Sequence, residues 1–136
     1  MTTVDGKIGY YLESAGADSA VPFPSGVTDY EVHATYQHAS GSTGASHEFT
    51  LQSDRQFLTT TLGTYHVGTA SFNPTFTVTI NGVEVDITIN NDYATLSGYA
   101  YGVGSAFINA SAGDVITVTI KETSANYVYL YPIVCI

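Results

Sequence analysis

The chain has 136 residues, enough for one domain with a core of its own. Its net charge is −9, with Lys7, Arg55 and Lys121 set against twelve acids, so nothing in it is built to bind nucleic-acid phosphate or an anionic membrane. Charged residues make up 11%, under half the usual share of about 25%, and apolar residues 44%; Ser, Thr, Asn, Gly and Tyr must cover much of the surface, as in a protein that meets other protein surfaces or an extracellular β-protein.

Residues 1–29 read as an irregular arm. Gly, Ser and Asp interrupt each short apolar run, residues 8–12 could form a brief strand, and Pro22 and Pro24 block a ladder between them. The N-terminal MTTVDGKIGYY has no basic segment leading into an apolar one, so no secretory signal is expected. From Tyr30 a domain of short strands is expected to run to Ile136. Residues 30–36 (YEVHATY) alternate, and HASGSTGAS follows as a flexible loop. Strands at 49–51 and 57–62 flank a turn at Ser53-Asp54, and another is expected over 65–72.

Residues 76–89 (FTVTI-NG-VEVDITI) give the clearest local signal. Asn81-Gly82 tolerates the positive φ angles of a type I′ turn, which would set Ile80 opposite Val83, Val78 opposite Val85 and Phe76 opposite Ile87. Glu84 and Asp86 then share the wet face with Thr77 and Thr79, and a one-residue slip would bury the acids. Asn90-Asn91-Asp92 reads as the next turn, leading into a glycine-bent strand over 93–103. Residues 105–109, a turn at Ala112-Gly113-Asp114, a strand over 115–120 and a last strand over 127–131 complete the pattern. No segment keeps a helical period. Short strands about ten residues apart predict an all-β antiparallel jelly-roll sandwich.

Chemistry is sparse. His33, His38, His47 and His66 show no zinc-ligand spacing, and the Asn90–Asp92 run with Asp86 reads as turn residues before it reads as a calcium site. No serine stands in a GxSxG elbow, no carboxylate pair suggests an acid and a base, and GYAYGVGS lacks the lysine and helix of a phosphate loop. Neither catalysis nor a cofactor is expected. Cys135, alone in IVCI, reads as a small buried hydrophobe. The tyrosines say more: Tyr127, Tyr129 and Tyr131 share one face of the last strand, and Tyr99 and Tyr101 make a second such pair.

From Leu62 onward the order of motifs resembles the tumour-necrosis-factor-like jelly roll shared with complement globular heads. The residues that carry it are Gly63-Thr64-Tyr65, the Asn81-Gly82 hairpin, the apolar run 106–110, and Gly113-Asp114-Val115; the first half departs from the pattern. The resemblance implies a homotrimer packed through aromatic strand faces, for which Tyr99, Tyr101, Phe107, Tyr127, Tyr129 and Tyr131 are the candidate contacts.

The function expected is a structural virion protein: a decoration or cement protein on a bacteriophage-like capsid, made in the host cytoplasm and carried on the virion surface. Ile8, Tyr10, Tyr11, Leu12 and Phe23 would dock the arm on capsid protein. The alternative is a fibre or spike tip that binds a host glycan or receptor through His38, Ser40, Ser42, Thr43, Ser46 and His47.

Overall fold

The computed structural model describes residues 11–13, 18–20, 29–33, 37–68, 72–96 and 98–136. Within them the chain is all-β, with no helix, and two antiparallel sheets close into a sandwich. The seven-stranded sheet joins β3 (Glu31–His33), β4 (Gln37–Ser40), β6 (Arg55–Tyr65), β9 (Ile87–Leu96), β10 (Tyr99–Ala110), β12 (Tyr127–Leu130) and β13 (Ile133–Cys135). The four-stranded sheet runs β5 (Ala45–Thr50), β11 (Val115–Lys121), β7 (Thr75–Ile80) and β8 (Val83–Glu84). A separate two-stranded antiparallel ladder pairs β1 (Tyr11–Glu13) with β2 (Asp18–Ala20).

Eleven-residue β6 is the spine. On one side it pairs with β10; on the other it pairs first with β13, at Leu58 and Thr59, and then with β12, from Leu62 to Tyr65. Pro132 separates these two partners because it has no N–H for a ladder, and the Thr60 hydroxyl donates to the Tyr131 carbonyl at the break, 2.8 Å away. The expected boundary between strands at 57–62 and 65–72 is therefore absent. One strand runs through Gly63 to Tyr65.

The hairpin at Asn81-Gly82 forms with the expected turn, φ 50° and 83°, and with Ile80 opposite Val83 and Thr79 opposite Glu84. The Val85 amide still donates to the Val78 carbonyl, 3.0 Å away. The pairing ends there. Ile87 lies opposite Ala106 in the other sheet, not opposite Phe76, because the chain crosses between the layers at Val85-Asp86. Asn90–Asp92 also differ from expectation: they lie inside β9, where its register against β10 slips between Tyr101 and Val103, and the turn is made at Gly98. Asparagines marked an irregularity within a strand, not its end.

Leu58, Leu62, Ile108, Val128 and Leu130 from the large sheet meet Phe49, Phe76, Val78, Ile116, Val118 and Ile120 from the small one. Gly104 belongs to this packing. A Cβ there would lie 2.7 Å from the Phe76 ring, so the ring rests directly on the β10 backbone. Cys135 is fully buried, and that burial pushes its thiol up to about 12, which suits a packing residue and not a nucleophile.

Candidate functional site

Strand register brings the tyrosines into rows on the outer face of the seven-stranded sheet. Tyr127, Tyr65 and Tyr99 are direct cross-strand neighbours, and Tyr129, Gly63 and Tyr101 form the row beside them. His38 of β4 lies opposite Tyr129. The inward positions between them, Val128, Leu130 and Leu62, are fully buried. Alternation thus fixes which face is aromatic.

The rings touch in sequence. His38 stacks on Tyr127 and Tyr129 at centroid distances of 4.8 and 5.4 Å. Tyr65 lies 6.3 Å from Tyr127 and 4.7 Å from Tyr99, and Tyr99 lies 6.2 Å from Tyr129. Tyr99 and Tyr101 are 6.3 Å apart and within 5° of parallel, and Tyr131 meets Tyr101 edge-on at 6.4 Å. Four strands spaced ~4.8 Å apart make the strip about 14 Å across. Gly63 is its one position without a side chain. A Cβ there would sit 3.0 Å from the Tyr101 ring, which explains why a glycine precedes Tyr65 by two positions.

Exposure divides the six residues expected to form an interface. Tyr127 is 41% exposed, and Tyr99 and Tyr129 are half-buried. Tyr101 and Tyr131, at 2% and 7%, are already buried within the chain and support the strip rather than face a partner. Phe107 is 74% exposed but stands apart, paired edge-on with Phe57 at 5.3 Å. It is eight residues along β10 from Tyr99, or roughly 27 Å at ~3.4 Å per residue. Tyr65 and His38 join the strip through cross-strand pairing, for which the sequence offered no local signal.

The segment expected to be a flexible recognition loop is instead a tight crossing from β4 to β5. His38 and Ser40 end one strand, and Ser46 and His47 lie in the next. Ser42 and Thr43 are exposed in the turn, where the Thr43 hydroxyl donates to the Ser40 carbonyl at 2.9 Å. Gly41 fits against the Ala125 and Glu122 carbonyls, leaving no room for a Cβ. Ser46 bonds to Thr119 across the ladder at 3.1 Å, and His47 contacts Gln37 at 3.4 Å. Of the candidate arm residues, Tyr11 and Leu12 lie in β1, while Ile8, Tyr10 and Phe23 fall outside the described residues.

A charged cluster at the opposite end of the sandwich resembles catalytic apparatus but is fully occupied. Glu31 accepts bonds from the Gln52 and Ser53 amides (2.9 and 3.1 Å) and from Arg55 Nε (2.9 Å), and contacts His33 at 3.2 Å. Arg55 also reaches Asp29 at 3.0 Å. Burial works to raise the Glu31 carboxyl, but Arg55 and the two amides outweigh it and hold the group below its ordinary value. Burial lowers His33, whose ring stacks on Phe49 at 3.8 Å. The set clamps edge strand β3. Its signal was the spacing of Asp29, Glu31 and His33, with Val32 turned outward and 42% exposed. Among the described residues no three His, Cys, Asp or Glu side chains gather as a metal site.

No protein-family model matches the chain, and no curated protein matches it either. Among solved structures, the catalytic domain of a GH87 α-1,3-glucanase variant in complex with tetrasaccharides aligns with a TM-score of 0.46 and 12% identity, over 81% of this chain and 26% of its own. The catalytic unit of a thermostable GH87 α-1,3-glucanase from Streptomyces thermodiastaticus strain HF3-3 aligns with a TM-score of 0.43 and 15% identity, over 78% and 25%. This chain thus spans about a quarter of the length of those domains, and a likeness of this degree carries nothing about substrate or activity.

Proposed function

We propose that this chain is a structural virion protein, a capsid decoration or cement module built as a homotrimer of TNF-like jelly rolls. The observation that carries the reading is the ring strip on the outer face of the seven-stranded sheet. Tyr65, Tyr99, Tyr127 and Tyr129 combine apolar area with hydroxyls that take partners, the composition of a subunit contact. With charged residues at 11%, few charges would have to be desolvated when copies meet. The module would act by burial alone: whatever binds the assembled capsid and not its dissociated parts shifts the balance toward the capsid. The arm of residues 1–29 would supply the contact with capsid protein. A chain lacking residues 1–24 should fold and self-associate yet leave the capsid; unchanged attachment defeats the arm's role.

One contact favours a second reading. His38 stacks on Tyr127 and Tyr129, so the polar turn after β4 and the ring strip form one continuous surface. That surface suits a fibre or spike tip binding a host glycan or receptor. Binding on a glycan array that disappears in both His38→Ala and Tyr127→Ala would establish this reading over the first.

A further inference from the structure

The far end of the same sheet carries an opening that the ring strip does not use. Where the chain leaves the four-stranded sheet after β8 and enters β9, it rounds an open hollow of about 540 Å³. Phe57, Phe107, Val85 and Ile87 line it together with two carboxylates, Glu84 and Asp86. Single exposed apolar residues are ordinary. Here, though, Phe107 is 74% exposed and lines the hollow together with Phe57, Val85 and Ile87, so the exposed ring is one of four apolar side chains gathered at one opening.

The corner is firmly built. Asn81 donates from Nδ2 to Asp114 (3.0 Å) and accepts the Val115 amide (2.9 Å), tying the hairpin turn to the turn before β11. On the other wall, a register slip between Phe107 and Ala110 places Asn109 at φ 41°, a bulge beside the ring pair.

We propose that this hollow is a docking site for a protein segment in which an apolar side chain is flanked by lysine or arginine. Charge selects that occupant. Glu84 and Asp86 are both exposed, and among the described residues no cation lines the hollow. A two-fold contact between copies would set these carboxylates against their own duplicates. A head-to-tail contact has few cations to offer: of the described ones, Arg55 is buried and held by Glu31 and Asp29, which leaves exposed Lys121 alone against two carboxylates. A foreign segment satisfies both halves of the site: its apolar side chain covers Phe57 and Phe107, and its cations meet the acids at the rim, with the ring faces adding to their hold. The inference concerns a different surface from the tyrosine strip and stands whether or not that strip joins copies.

The test is a backbone-amide NMR titration of the intact protein with a short synthetic peptide of alternating lysine and leucine. Shifts should concentrate in residues 83–88 and 105–109. The double substitution Glu84→Gln, Asp86→Gln and the single Phe107→Ser should each weaken binding at least about tenfold. Phe107 is largely exposed, so its replacement leaves the core intact. A lysine–serine peptide of equal length and charge should bind no more tightly than those variants bind the lysine–leucine one. Shifts elsewhere, equal binding of the lysine–serine peptide, or unchanged affinity in the variants overturns the proposal. So does a concentration-dependent shift at the same residues without peptide, which would make the occupant a second copy.

Discussion

Replacing Glu31 with glutamine keeps the side chain's size but reverses half of its hydrogen-bonding character. The carboxylate accepts from two backbone amides and from Arg55, at 2.9 to 3.1 Å. A glutamine offers one acceptor oxygen, and its NH2 must face a donor. A bond to a charged group contributes ~1.5–3 kcal/mol, and a donor left unsatisfied costs a further ~1–3. Arg55, 5% exposed, keeps Asp29, but that partner's side chain is 86% exposed and its hold is correspondingly weak. The expected loss at pH 7 is about 3 kcal/mol, or a fall in Tm of roughly 10 °C for a chain of this size. Urea and thermal unfolding of both proteins measure it. The pH dependence follows from the sign of the shift. The Glu31 carboxyl is lower in the folded state than its ordinary 4.5, so its stabilisation is complete above that value and is lost as pH falls through the folded value. The gap between wild type and variant should therefore narrow between pH 5 and pH 3. A gap below about 1 kcal/mol at pH 7, or one unchanged across that range, refutes the clamp.

Gly104→Ala should cost about 1–3 kcal/mol in urea unfolding, because the new methyl meets the Phe76 ring at 2.7 Å inside a filled core. Asn81→Ala should lose about 1–2 kcal/mol, since alanine at φ 50° is strained and the Val115 amide loses its acceptor; an unchanged midpoint would show that the turn carries no strain. Cys135, buried with its thiol pushed up to about 12, should resist Ellman's reagent in the native protein at pH 8 and react on unfolding. Rapid native-state labelling would place the thiol at the surface.

The two-residue alternation in the β12 segment correctly separated Val128 and Leu130 from the tyrosines, because a strand's side-chain period is set by its backbone alone. Asn81-Gly82 was legible for a similar local reason. What the sequence could not supply was cross-strand register. Tyr65 meets Tyr99 and Tyr127 only because β6 takes partners on both sides, and nothing near Tyr65 encodes that. Tyr101 and Tyr131 looked equivalent to their neighbours by parity, yet burial set them apart. The need for glycine at 104 was equally hidden, because the Phe76 ring that rests on it comes from the other sheet. Asn81 and Asp114, two separate motifs along the chain, proved to be hydrogen-bonded to each other.

The mass of the purified protein at micromolar concentration, by light scattering after size exclusion, bears most directly on the proposed assembly through the tyrosine strip. Wild type should elute at three times its 14.4 kDa chain mass, and a Tyr99→Ser, Tyr127→Ser double variant should elute as a folded monomer. A wild-type protein that remains monomeric, or a variant that remains trimeric, contradicts it.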